Sequence, residues 1–252
     1  MLKGPFWKWD HEHIFEEKDG RTTVIDQIDY KVPFGFLGEI VDKILGGRLV
    51  KQRIDRMFKA REIRLQRDLQ AHEKYRSIPR KKILIAGSSG LIGTQMVAFL
   101  DTGGHDVYRL VRRKVENDFE IEWDPDNGVI NAKEIEGFDA VIHLGGEGIG
   151  DKRWSKKRKE KILTSRTGST ALLAKTLSQI DDPPEVFMVA SAVGYYGHSQ
   201  EENLTEESEL GSGYLSDVCS AWEKSAQPAV DAGIRTIWLR TGIVLSGIGG
   251  AL

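Results

Sequence analysis

The stretch Lys81–Gly93, KKILIAGSSGLIG, decides how the rest of the chain is read. Ile83, Leu84, Ile85 and Ala86 form an unbroken apolar run, the pattern of a parallel strand covered on both faces. From Leu91 the apolar residues Leu91, Ile92, Met96, Val97, Phe99 and Leu100 recur at helical spacing. Between strand and helix, Gly87, Ser88, Ser89, Gly90, Leu91, Ile92 and Gly93 spell a G-x-x-G-x-x-G turn. The first glycine permits a tight turn, the second lets a phosphate approach the backbone, and the third lets helix and strand pack closely. Amide N–H groups at the helix start, aided by the helix dipole, then face a diphosphate.

Spacing alone is weak evidence, but a second strand, Asp106–Val111, follows the helix stop at Gly103-Gly104. A site for NAD usually places a carboxylate at the end of that strand to hold the ribose 2′-hydroxyl. Arg112 and Arg113 stand there instead, and guanidinium matches phosphate geometry, so the expected cofactor is NADP, with both arginines on its 2′-phosphate.

Strand and helix then alternate. Phe119–Trp123 reads as a short strand, and Ala140–Leu144 as a buried strand running into Gly145 and Gly146. Helix is expected over 156–180 and strand over 186–190. The loop Ser191–Gly197 follows, then one helix over 214–232 and a strand over 235–240. This rhythm predicts an α/β fold with a doubly wound parallel sheet. Leu144, Gly145 and Gly146, at a strand's carboxyl end, are expected to lie against the cofactor.

Residues 1–76 read differently. An aromatic-rich strand, an Asp19-Gly20 hairpin signal and a second alternating strand over 22–30 precede a long amphipathic helix over 39–75, with a break expected near Gly46-Gly47. Residues 77–81 read as a linker and 82–252 as the nucleotide-binding domain. His11 and His13 share one strand face, but two histidines without a third ligand do not define a metal site, and no metal is assigned.

The chain has 252 residues and a formal net charge of −2, giving no electrostatic case for nucleic acid or an anionic membrane. No apolar run has the length of a membrane span, and the first residues lack a signal-peptide core, so a cytoplasmic protein is expected. A single cysteine, Cys219, excludes an intrachain disulfide. The sequence sets no oligomeric state.

Several motifs, in order, resemble the extended short-chain dehydrogenase/reductases of the NAD-dependent epimerase/dehydratase superfamily. GSSGLIG is similar to their nucleotide-binding turn, HLGG to the fourth-strand motif and SRTGSTALL to the following helix, with Arg166 on it facing the cleft. SAVGYYG resembles the active-site strand end, and LRTGIVLSG the sixth-strand motif. GGEGIGDKRWSKKRKEKILTSR, SAVGYYG and CSAWEKSA together resemble the branch known as the epimerase family, some of whose bacterial members are fused to a START-like domain. The W-x-H-x-H-x-F run and the stretch Asp26–Gly38 resemble the C-terminal part of such a helix-grip, polyketide cyclase-type ligand-binding domain, implying that its earlier strands are absent. The resemblance likewise implies a C-terminal substrate lobe beyond Leu252.

In the superfamily, a serine and a Tyr-x-x-x-Lys pair carry the chemistry: lysine lowers the tyrosine pKa, and the phenol exchanges a proton while a hydride moves to or from nicotinamide. Matching through Glu223 puts Leu215 and Cys219 at the tyrosine and lysine positions; starting from Tyr214 puts Val218 at the lysine. Ser191 is the candidate serine, although an ungapped match places Ala192 there. Tyr195 and Tyr196 are the remaining phenols, and a phenol with a pKa near 10 and no cation beside it is a poor base at neutral pH. Three alternatives stay open. Lys152 or Arg153 reaches Tyr195 or Tyr196, or the missing lobe supplies the chemistry, or the chain binds NADP without turnover as a regulatory module. The resemblance implies an NADP(H)-dependent oxidoreductase or epimerase acting on a small carbonyl or sugar-like substrate. A further alternative makes residues 1–76 a carrier of an apolar ligand.

Overall fold

The computed structural model describes residues 7–31, 48–150, 152–198, 203–246 and 249–250. It divides into two compact units, Met1–Tyr75 and Arg76–Leu252.

In the first unit β1 (Lys8–Lys18) and β2 (Arg21–Lys31) pair antiparallel, with Lys18 opposite Arg21. Asp19 and Gly20 both have positive φ, 54° and 70°, as a two-residue type I′ turn requires. Helix α1 (Arg48–Lys74) follows. The expected helix start over 39–47, its break at Gly46-Gly47 and most of the motif Asp26–Gly38 lie outside the described residues.

The second unit is an α/β sandwich. Its strands are β3 (Lys82–Ala86), β4 (Asp106–Val111), β5 (Glu120–Asp124), β6 (Val129–Ile130), β7 (Ala140–His143), β8 (Val186–Ala192) and β9 (Arg235–Thr241). They form one sheet in the order β6-β5-β4-β3-β7-β8-β9. All neighbours are parallel except β5 and β6, so the sheet is mixed rather than wholly parallel. The reason is local: the turn at Asp124–Gly128, with φ of +69° at Gly128, sends the chain straight back along β5, and a return that short can only pair antiparallel. A small hairpin, β10 (Leu245–Ser246) with β11 (Gly249–Gly250), closes the described chain.

Alternation along β3 explains the two layers. Ile83 and Ile85 point to one face, packing with Val107, Ile142 and Val97 of α2 (Leu91–Thr102). Leu84 and Ala86 point to the other, with Val141, Phe187, Val189 and residues of α3 (Lys156–Leu177), among them Leu173 and Leu177. Each of these large aliphatic side chains contributes about 1.5–3 kcal/mol on burial.

The helix expected over 214–232 is two helices, α4 (Tyr214–Lys224) and α5 (Gln227–Asp231). Pro228 is responsible: it has no N–H to donate to Lys224, the last residue of α4, and its ring crowds that carbonyl. Among the described residues, no helix is long and apolar enough to cross a membrane.

Candidate functional site

The strand order reverses at β3: the chain moves outward to β4 and β5, then crosses back to β7 on the other side. In open α/β sheets ligands bind at the carboxyl ends of the strands flanking that switch point. Here those ends are Gly87, after β3, and Leu144-Gly145, after β7.

Backbone geometry at the turn leaves no room for side chains. Gly87 has φ of +82°, and a Cβ there would lie 2.7 Å from the Gly145 nitrogen. A Cβ on Gly93 would lie 2.2 Å from the Gly87 carbonyl oxygen and 2.7 Å from Ser88 Cα. Gly90 caps α2 without a side-chain acceptor, and the first turn of the helix carries no acidic residue. A helix start without a side-chain cap can hold an anion, and these amides are the groups that could take the diphosphate of a dinucleotide.

His143, fully buried at the end of β7, braces the opposite wall. Its Nδ1 accepts from the Gly145 amide at 3.3 Å, and its Nε2 contacts Ser169 Oγ at 2.8 Å. Ser169 in turn donates to the Ser165 carbonyl. Burial lowers the His143 pKa to about 4, so the ring is neutral, as an acceptor at Nδ1 must be. Beside it, Arg166 donates to the carbonyls of Glu147 and Ile162 and lies over the Trp222 ring at 5.0 Å. Burial pushes the Arg166 pKa down. A Cβ on Gly146 would stand 3.1 Å from the Arg166 guanidinium carbon, so this glycine lets the arginine lie against the strand end.

Past β4, the two arginines part. Arg113 gives Nη1 and Nη2 to the Glu120 carboxylate at 2.9 and 2.7 Å, and Nη1 also donates to the Lys114 carbonyl. Glu120, with a side chain only 2% exposed, is held below the usual carboxylate range by Arg113 and the Glu116 amide. Arg112 is 67% exposed and stands 3.8 Å from Asp126. The expected joint clamp is thus divided: Arg113 has its terminal nitrogens turned to a buried carboxylate that the strand-end reading overlooked, while Arg112 remains open to solvent.

The phenols meet a cation that the sequence reading did not single out. Arg240, near the end of β9, donates from Nη1 to Tyr196 Oη at 2.9 Å and lies 3.5 Å over the Tyr195 ring. Its Nε and Nη2 clasp the two oxygens of Glu223 on α4, each at 2.9 Å. Ser191 donates its hydroxyl to the same carboxylate at 2.6 Å. Lys152 and Arg153, one of the alternatives for a cation beside the phenols, are exposed. They precede α3, whereas Arg240 arrives from the strand paired with β8, where Ser191 and Arg240 are register partners.

On the helix face that the resemblance assigns to the tyrosine and lysine, Leu215 and Cys219 both approach Gly194. Cys219 is buried, which raises its thiol pKa. One turn further on the same face comes Glu223. Tyr214 is occupied otherwise, donating its hydroxyl to the Lys159 carbonyl at 2.7 Å, and burial raises its pKa. Trp154 stacks edge-on against Tyr214, and Arg158 bonds to Glu147 and the Gly148 carbonyl, bracing the loop before α3. The sequence signal for the missed pair was charged residues placed in otherwise apolar patterns, Arg240 in IWLRT and Glu223 in CSAWEKSA.

A mixed α/β sheet with a glycine cradle at its switch point and a polar cluster beyond the neighbouring strand defines a nucleotide-binding α/β protein. Residues 83–240 match the NAD dependent epimerase/dehydratase family, and the chain belongs to it. Epimerase family protein MT2273 of Mycobacterium tuberculosis is 38% identical over 170 residues, 68% of this chain and 56% of that protein. The crystal structure of a nucleoside-diphosphate sugar epimerase from Corynebacterium glutamicum is 34% identical, with a TM-score of 0.74, covering 97% of this chain and 48% of that one. Human epimerase family protein SDR39U1, solved with NADPH, is 30% identical with a TM-score of 0.59, covering 68% of this chain and 56% of that one. The chain therefore spans about half the length of the relatives it matches.

Proposed function

We propose that this chain is the NADP(H)-binding part of an oxidoreductase or epimerase acting on a sugar-nucleotide-type carbonyl or carbinol, with Tyr196 exchanging the proton. The observation that carries this reading is the hydrogen bond from Arg240 Nη1 to Tyr196 Oη, 2.9 Å. With its oxygen accepting from a guanidinium, Tyr196 has its own hydroxyl proton free to donate to a substrate oxygen. Arg240 then stabilises the charge left on the phenol oxygen, as the superfamily lysine does for its tyrosine. Glu223 holds Arg240 in a fixed fork, and Ser191, donating to Glu223, steadies that carboxylate.

A bound nicotinamide would supply the hydride donor or acceptor. The residues that would hold the cofactor are Gly87–Gly93 at the diphosphate, with Leu144, Gly145, Gly146 and Arg166 along the opposite wall. Arg112, exposed and beyond the strand end, would meet the 2′-phosphate, with Arg113 held beside it by Glu120. The NADPH in the human relative's structure supports the phosphorylated cofactor, and the nucleoside-diphosphate sugar epimerase similar over 97% of this chain supports the substrate class. We read residues 1–76 as the C-terminal part of a START-like ligand-binding fold and 82–252 as the nucleotide-binding domain.

Fluorescence titration with NADPH and NADH tests the cofactor. NADPH binds tighter, and Arg112→Glu removes the preference; equal affinities in the parent chain refute it. Oxidation of NADPH across a panel of nucleotide sugars and ketones tests the chemistry, with Tyr196→Phe abolishing any turnover. Leu215 and Cys219 at the superfamily's tyrosine and lysine positions favour a second reading, a regulatory module that binds NADP without turnover. That reading is sustained if NADPH binds and no member of the panel is reduced.

A further inference from the structure

The first unit carries a side-chain cluster that the nucleotide site does not use. His13 on β1 and Asp26 on β2 are direct register partners, and His11, two residues before His13, shares their face of the hairpin. His11 Nε2 lies 2.9 Å and His13 Nδ1 2.6 Å from the same oxygen, Asp26 Oδ1. Arg61 of α1 donates to that oxygen as well, at 2.8 Å. The pairing of strands thus brings a carboxylate to the two histidines, a third donor that the sequence spacing did not show.

We propose that His11, His13 and Asp26 form a site for a first-row divalent cation, of which zinc is the probe, with Arg61 as the counter-charge the metal displaces. Two imidazole nitrogens and one carboxylate oxygen, all within 4.8 Å of one another, are the donor set of a tetrahedral ion with bonds of about 2.0–2.2 Å and one position open; the side chains need only part from hydrogen-bond spacing to the roughly 3.3–3.6 Å between ligand atoms of such an ion. Partial burial favours the same use. The side chains of His11 and Asp26 are 21% and 19% exposed, and the His11 ring packs edge-on against Phe58 of α1 at 5.8 Å. That wall fixes the imidazole and limits water around the ligands. Arg61 is 44% exposed and sits at the tip of a long side chain, so it can leave Oδ1 without disturbing the helix. One arginine already neutralises Asp26; the two imidazoles that converge on the same oxygen are surplus to a simple ion pair, and in the other tautomer each turns a nitrogen lone pair toward the point they share with the carboxylate.

The experiment is titration of the chelator-treated full chain with Zn²⁺ alone by calorimetry, and with Co²⁺ followed by its visible ligand-field bands. The expected result is one saturable equivalent, with cobalt bands of a four- or five-coordinate site. Asp26→Asn and His13→Ala each weaken binding by about tenfold or more, while circular dichroism and the NADPH titration stay unchanged. Arg61→Ala tightens binding several-fold, a gain that a misfolded variant cannot mimic. Absence of saturable binding, an octahedral cobalt spectrum, or an affinity unaffected by Asp26→Asn overturns the proposal. So does weaker or unchanged binding in Arg61→Ala. Because the ligands lie in the first unit, NADPH affinity reports separately on the nucleotide site.

Discussion

Arg240 bridges Glu223 and Tyr196, joining the carboxylate of one helix to the phenol beyond β8 through a single guanidinium. Glu223 and Arg240 have side chains only 11% and 18% exposed, so neither charge is well solvated without the other. Their consequences for stability and chemistry can be separated by substitution.

Glu223→Gln removes the carboxylate that clasps the largely buried Arg240. Urea denaturation is expected to show a loss of about 3 kcal/mol. The double variant Glu223→Leu/Arg240→Met, which removes both charges, should lose less than Glu223→Gln alone. A double variant that loses the sum of the single effects would show that the pair does not interact.

Tyr196→Phe deletes the hydroxyl that accepts from Arg240 but keeps the ring. NADPH affinity should stay within about twofold of the parent, because the cradle lies at β3 and β7, and unfolding stability should fall by about 1 kcal/mol for the lost hydrogen bond. A large drop in cofactor affinity would place Tyr196 in the binding wall rather than at the proton.

Two glycines should respond in opposite senses to alanine. Gly93→Ala drives a Cβ into the Gly87 carbonyl oxygen, 2.2 Å away, and that neighbour is backbone and cannot yield cheaply. A lower melting temperature and at least about tenfold weaker NADPH binding are expected. Gly168→Ala, where a Cβ within α3 meets nothing inside 4 Å, should stabilise the chain by about 0.5–1 kcal/mol.

Acid should weaken the second unit through His143. Its native pKa, near 4, lies below the ordinary value of 6.5, so between these the unfolded chain binds a proton that the native chain does not. Stability from this group is complete above pH 6.5 and falls by about 3 kcal/mol on descending to pH 4. Denaturation midpoints measured across that range should show this slope, and His143→Gln should flatten it.

The alternation of strand and helix was readable because its signals are local. The β3 run, the helical spacing after Leu91, the stop at Gly103 and the Asp19-Gly20 turn each depend on residues within a few positions of one another. Pro228 was equally visible, yet the segment over 214–232 read as one helix because its apolar spacing continues past the proline. The antiparallel β6 was too short to carry a pattern. At the site, Arg112 and Arg113 looked equivalent in sequence; what distinguishes them is Glu120, seven residues after Arg113 and brought beneath it by the pairing of β4 with β5.

The amino-acid sequence by itself determined the glycine cradle and the layered α/β order, since a turn that excludes Cβ atoms and a strand buried on both faces are written in adjacent residues. Only the tertiary structure decided which charges meet. Arg240 lies 44 residues from Tyr196 and 17 from Glu223, and Asp26 lies 13 from His13. Strand register and helix packing set these pairings, and Coulomb attraction and hydrogen bonding act across space with no trace in the spacing of the chain.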